Sequence, residues 1–297
     1  MPHPIAGKTL FGMASGHLGR VIVLGVPAAS RDNDAGRCSE APAVMRAMTD
    51  WLGLRQGFIF DQVSRSRKLT EISISDAGNM PLQDGETPDH YLKRLSAVIQ
   101  AIRKTGKNVL VLGGNHLITM GVINGLCAHK ESFQILQIDA HSDVQKIGPD
   151  SKPSNGNFVS YAANNSAIRQ WLQLGVRVPS LHEPVYPSKV INTCLINLRK
   201  DLIPGVPIYI TIDTDGFDPS VMPAVDYPFP GGLSVNDLSE VLDIITSANC
   251  PFLGADWVEY ATAHDFGNRM TACAIMDGLI RLLSFIELNQ REYETFA

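Results

Sequence analysis

The sequence is sparing with cysteine, with aromatic side chains and with charge, and it contains no long apolar run. Its five cysteines, at positions 38, 127, 194, 250 and 273, are odd in number and widely scattered. That spacing supplies neither a paired disulfide framework nor a clustered thiolate zinc site. A reducing cytosol fits it best, and the expected location is cytoplasmic. No apolar stretch approaches the roughly 20 residues of a membrane-crossing helix, so no membrane association is expected. The start, Met1-Pro-His-Pro-Ile-Ala-Gly-Lys8, lacks the charged beginning and continuous apolar centre of a secretory signal. With 19% charged residues and a net charge of −5, the chain has no basic surplus to attract nucleic acid.

What the sequence does have is enough apolar material for a large core, at 44% hydrophobic residues over 297 positions. Short aliphatic or β-branched runs alternate with longer helical patterns. The runs predict strands at 21–25, 108–112, 133–139, 207–213 and 252–256, with weaker candidates near 57–60, 72–75 and 189–192. Pro88 to Lys104 carries Tyr91, Leu92, Leu95, Val98, Ile99 and Ile102 at close to helical spacing. Ser234 reads as the N-cap of a helix beginning at Val235, and 269–288 predicts a final amphipathic helix. Arg31 to Pro42 and Gly148 to Asn157 read as loops. Continuous apolar strands separated by helices imply a parallel sheet covered on both faces. A single α/β domain over 1–297 is expected, with 1–19 as an N-terminal extension and 289–297 as a C-terminal tail.

Three short polar clusters sit at the ends of predicted strands. Gly113-Gly114-Asn115-His116 follows the run at 108–112, and Asp139-Ala140-His141-Ser142-Asp143 follows 133–138. Asp213-Thr214-Asp215-Gly216-Phe217-Asp218-Pro219 follows 208–212. Open parallel sheets place their sites beyond the carboxyl ends of the strands. Alternate residues of an extended segment share a side, so Asp139, His141 and Asp143 can converge, as can Asp213 and Asp215. Each cluster alone has an ordinary reading as a cap or turn. Together they offer two imidazoles and four carboxylates, a set that suits two divalent ions, manganese first. Asp218-Pro219 is read as structural, stabilising its turn.

These motifs resemble those of the arginase/agmatinase (ureohydrolase) family. The second cluster matches Asp-Ala-His-x-Asp and the third matches Asp-x-Asp-x-x-Asp-Pro. The first is similar to Gly-Gly-Asp-His, with Asn115 in place of aspartate. Leu24-Gly-Val-Pro27, Pro230-Gly-Gly-Leu-Ser234 and Gly254-Ala-Asp-Trp-Val-Glu259 agree as well, so the likeness spans roughly 20 to 288. The resemblance implies a three-layer arginase-type fold, with eight mostly parallel strands between helices, and two Mn2+ per chain. One ion would take His116, Asp139, Asp143 and Asp213; the other would take Asp139, His141, Asp213 and Asp215. Paired divalent ions lower the pKa of a shared solvent molecule and so supply a nucleophile at neutral pH. Asp143 would accept its proton, and Glu259 would hold a planar cationic substrate through charge-assisted hydrogen bonds.

One departure bears on the substrate. Relatives that cleave arginine or agmatine usually carry a proton-shuttling histidine about a dozen residues after the second cluster. Here that loop reads Ser154-Asn155-Gly156-Asn157-Phe158-Val159. An amide cannot act as a general acid, so Asn155 and Asn157 are expected to contact substrate instead. His264 is a candidate replacement acid, against the reading of an ordinary surface-loop histidine. Three functions stay open: a guanidino hydrolase releasing urea, a formimino hydrolase releasing formamide as in formimidoylglutamases, and a catalytically silent metal-binding member. The resemblance also implies a homotrimer or homohexamer.

Overall fold

The computed structural model describes residues 9–28, 38–52, 59–61, 66–68, 73–129, 131–179, 184–265 and 267–294. Its strands are β1 (Ala14–Ser15), β2 (Val21–Val26), β3 (Ile59–Asp61), β4 (Ser66–Lys68), β5 (Ile74–Asn79), β6 (Asn108–Gly113), β7 (Phe133–Ile138), β8 (Ile168–Leu174), β9 (Val190–Thr193), β10 (Ile208–Asp213) and β11 (Phe252–Val258). Its helices are α1 (Ala41–Trp51), α2 (Pro88–Lys104), α3 (Ile118–Cys127), α4 (Phe158–Ala162), α5 (Leu195–Asp201), α6 (Val235–Ser247) and α7 (Met270–Glu294). Nine strands form one sheet in the order β1-β5-β2-β6-β11-β10-β7-β8-β9, and every pairing in it is parallel. β3 and β4 make a separate antiparallel pair.

The sheet is buried on both faces, which is why its strands read as nearly continuous apolar runs. One face packs Met45, Leu198, Leu238 and Leu279 from α1, α5, α6 and α7; the other packs Leu95, Val122 and Phe158 from α2, α3 and α4. Alternation along β10 sends Ile208, Ile210 and Ile212 to the first face, leaving Tyr209, Thr211 and Asp213 on the second. The helix ends follow local chemistry. Thr87 caps α2 by accepting from the His90 N–H, with Pro88 in the first turn and Arg103 and Lys104 in the last. Ser234 and Asp237 form a reciprocal capping box at α6.

Several sequence expectations are corrected. Among the described residues the sheet has nine strands where eight were expected, the two-residue edge β1 included. β8 was not among the candidate runs, because Arg169, Gln170 and Gln173 interrupt its apolar pattern. Gln170 and Gln173 are nevertheless buried, hydrogen-bonded to Gln134 and Gln137 of β7. The expected N-terminal extension is partly core. Leu10 and Phe11 are buried, and the Leu10 N–H donates to Asp76 Oδ2 at 2.8 Å. The last helix runs past 288 to Glu294, with Asn289 buried and bonded to Phe252 N and Cys250 O. Most of the loop expected at Arg31 to Pro42, namely 31–37, lies outside the described residues, as do 57 and 58 of one weak strand candidate.

Candidate active site

The carboxyl ends of β6, β7, β10 and β11 lie side by side in the sheet and bring the three polar clusters together with Glu259. The loop after β6 approaches the backbone after β2 so closely that a Cβ on Gly114 would stand 2.2 Å from Ala28 O. The Asn115 N–H donates to that same carbonyl, and Gly114 O accepts from the Glu259 N–H. His116 is thereby fixed between strands, its ring 4.8 Å from that of Phe158. Asp143 (φ 51°) and Glu259 (φ 59°) occupy the left-handed backbone region, which side-chain-bearing residues usually avoid.

His116 Nδ1 lies 3.0 Å from Asp213 Oδ2, 3.2 Å from Asp139 Oδ2 and 3.4 Å from Asp143 Oδ2. His141 Nδ1 lies 2.9 Å from Asp215 Oδ2 and 3.6 Å from Asp139 Oδ1. Two candidate metal-holding groups result, His116–Asp139–Asp213 and Asp139–His141–Asp215, with Asp139 common to both. Asp143 stands beside the first group. His116 Nδ1 is buried and makes no hydrogen bond. A buried ring nitrogen facing three carboxylate oxygens, with no hydrogen-bond partner of its own, is what a cation site requires, so the residues fit a pair of divalent ions.

The electrostatics agree. Burial opposes the charged form of His141, but the hydrogen bonds its ring donates to Asp139 and Asp215 outweigh it and hold the ring at about 11. Burial likewise opposes a charged His116, and the carboxylates of Asp139 and Asp213 reverse the balance upward. Asp143, Asp213 and Asp215 are pushed above the usual carboxylate range by burial and by neighbouring aspartates. Four carboxyl groups this close repel one another until a cation separates them. Gln137 reaches the cluster from β7, donating from Nε2 to Asp139 Oδ2 at 2.7 Å.

Glu259 is tied down on both oxygens. Its Oε1 accepts from the His116 N–H (2.7 Å), Asn115 Nδ2 (3.0 Å) and Asn155 Nδ2 (3.1 Å), while Oε2 accepts from Cys38 Sγ at 3.3 Å. Burial, opposed by those donors, raises its carboxyl to about 7. Asn155 also accepts from the Leu117 N–H through Oδ1. Asn157, expected at the substrate, spends its amide on its own loop, accepting from Ser154 N and donating to Lys152 O. His264 stands on a short 3-10 turn, Nε2 at 3.1 Å from Asp226 Oδ1. Asp218 is structural as expected, accepting from the Ser220, Gly231 and Gly232 N–H groups.

Cys38, Gln137 and Asp226 escaped the sequence reading. Asp226 is close enough for its charge to help raise the Cys38 thiol, after burial and Glu259. Its neighbour Tyr227 places its ring edge-on to His141 at 6.3 Å. Arg177 fastens the surrounding loops, donating to the carbonyls of Asp215, Phe217 and Phe229. Only the glutamine inside an apolar strand, Gln137, gave any sequence signal.

Residues 19–284 match the arginase-family model. The chain is 25% identical over 258 residues to an agmatinase of Proteus mirabilis, covering 82% of this chain and 80% of that protein. It is 27% identical over 236 residues to an agmatinase of Neisseria meningitidis, covering 75% and 73%. Among solved structures, an agmatine ureohydrolase of Thermoplasma volcanium superposes with a TM-score of 0.76 at 21% identity, covering 97% of each chain. A formimidoylglutamase of Bacillus subtilis superposes with a TM-score of 0.73 at 23% identity, covering 90% of this chain and 87% of that one.

Proposed function

The chain belongs to the arginase family, hydrolases of carbon–nitrogen bonds other than peptide bonds in linear amidines, and from that premise we propose that it is a binuclear manganese enzyme releasing urea from a linear guanidino compound. The observation that carries the metal part is the shared Asp139, joining two three-residue groups around an unpartnered His116 Nδ1. Bound at those groups, two divalent ions would supply an activated water nucleophile and Lewis-acid polarisation. His116, Asp139, Asp143 and Asp213 would hold one, and Asp139, His141, Asp213 and Asp215 the other.

The protein's own residues then have distinct tasks. Asp143 takes the proton that the attacking water gives up. Glu259 faces the planar cation, and its partners Asn115, Asn155 and Cys38 fix its orientation so that little is lost on binding. His264, steered by Asp226, returns a proton to the departing amine. A formimino substrate releasing formamide is the second reading, favoured by a histidine-free loop that has Asn155 where agmatinases, and Val159 where arginases, usually carry a histidine.

Manganese-loaded protein assayed on agmatine, arginine, guanidinobutyrate and formiminoglutamate tests this directly. Urea release from a guanidino compound is the expected result, with arginine and agmatine poor relative to the others. Formamide from formiminoglutamate alone would install the second reading, and silence on all four would mark a metal-binding protein without this activity. We further propose a homotrimer or homohexamer in the cytoplasm. Light scattering that returns a monomer at micromolar concentration would refute the assembly.

A further inference from the structure

Behind His116, on the side away from the carboxylates, lies a buried cage of hydroxyl groups around one more acid. Asp256, Tyr209, Thr211 and Thr119 are all fully buried. Alternation along β10 puts Tyr209 and Thr211 on the same face as Asp213, and the register of β11 sets Asp256 directly beside Thr211. Asp256 Oδ1 accepts from Thr211 Oγ1 at 2.6 Å; its Oδ2 accepts from Tyr209 OH at 2.6 Å and Thr119 Oγ1 at 2.8 Å. His116 Nε2 lies 2.9 Å from Thr211 Oγ1.

Counting protons decides which way each bond runs. A hydroxyl carries one hydrogen, and an ionised carboxylate can only accept. Tyr209, Thr211 and Thr119 each give their hydrogen to Asp256, the one carboxylate that all three hydroxyls meet among the described residues. With its hydrogen spent, Thr211 can only accept from the ring, so Nε2 is the protonated nitrogen of His116. Nδ1, which faces Asp139 and Asp213, is then the nitrogen that gives up its proton and offers a lone pair to an incoming cation.

We propose that Asp256, acting through Thr211, is a positioning residue that fixes His116 with its proton on Nε2 and so presents Nδ1 to a metal ion. The inference rests on the two-metal reading above. It explains why two neighbouring strands buried on both faces keep two hydroxyls on β10 and an acid on β11 where aliphatic side chains would otherwise pack. A partner that holds a ligating histidine in one tautomer typically accounts for 10–100-fold in metal affinity.

The test measures manganese binding by calorimetry on wild type and on Thr211→Val, Thr211→Ser, Asp256→Asn and Tyr209→Phe, each checked for fold by circular dichroism. Thr211→Val removes the acceptor, and Asp256→Asn lets the amide donate to Thr211 and so turns the Thr211 hydrogen toward the ring. Both should weaken the affinity about 10–100-fold. Thr211→Ser should restore it, and Tyr209→Phe, which leaves the Thr211 bond in place, should stay within about threefold of wild type. Zinc-loaded wild type with 15N-histidine should show a slowly exchanging Nε2–H on His116, a readout that stands even where a variant fails to fold. Unchanged affinity in Thr211→Val and Asp256→Asn, or coordination through Nε2, overturns the inference while leaving the metal centre intact. Wild type that binds neither manganese nor zinc overturns both.

Discussion

An incoming cation must compete with a proton for His141. The hydrogen bonds that the ring donates to Asp139 and Asp215, which overcome burial and hold it at about 11, also make the proton hard to displace. Metal affinity should therefore rise with pH across the neutral range and binding should release protons. Calorimetry in buffers of different ionisation enthalpy reads that release directly; a pH-independent affinity with none would contradict the assigned ligands. Glu259 carries a separate expectation. Glu259→Gln keeps the shape but removes the charge that a guanidinium needs. It should lower kcat/KM by about tenfold or more while leaving metal content unchanged, since a hydrogen bond to a charged partner contributes about 1.5–3 kcal/mol. Unaltered kinetics on the true substrate would remove Glu259 from the site.

At the scale of elements, the loop after β6 is the most exacting piece. A Cβ at Gly114 collides with a backbone carbonyl, not with a side chain that could turn away. Gly114→Ala should displace the loop bearing Asn115 and His116, lowering both metal content by elemental analysis and the unfolding midpoint. A variant with full metal content would show that the loop tolerates the shift. The same contrast between local and assembled information governs what the sequence revealed. α2 was legible to the residue because the apolar stripe from Tyr91 to Ile102 runs unbroken behind Pro88, and the Thr87 cap seen in the structure adds to it. The ligand clusters were legible because each directly follows an apolar strand. β8 was not, since Gln170 and Gln173 look polar until Gln134 and Gln137 are set opposite them. Cys38 and Asp226 come from distant loops and meet Glu259 and His264 only after folding.

For the molecule as a whole, the centre links binding to stability. An ion that binds the folded chain and not the unfolded one stabilises by about 2.7 kcal/mol per site at a hundredfold excess over Kd. Manganese should raise the unfolding midpoint by at least about 5 °C, and a chelator should reverse the gain. Because Asp139 serves both groups, Asp139→Asn should abolish most of that shift, whereas exchange of a ligand confined to one group, such as His141→Asn, should leave part of it. Equal losses in the two variants would argue against a shared bridge.

Asp143 combines a left-handed backbone with a carboxyl buried next to Asp139. In the metal-free chain both features are costs, of order 1 kcal/mol or more for the backbone alone. Asparagine tolerates that conformation better and carries no charge, so metal-free Asp143→Asn should melt above wild type, although its metal binding and turnover fall. A lower melting point would mean that the carboxyl contributes to the fold independently of any ion. If the midpoint rises, the ancestry of this protein has held its folding reserve below what its own sheet could reach. A laboratory selection for heat resistance alone would then discard this carboxylate early, leaving a sturdier and inert descendant.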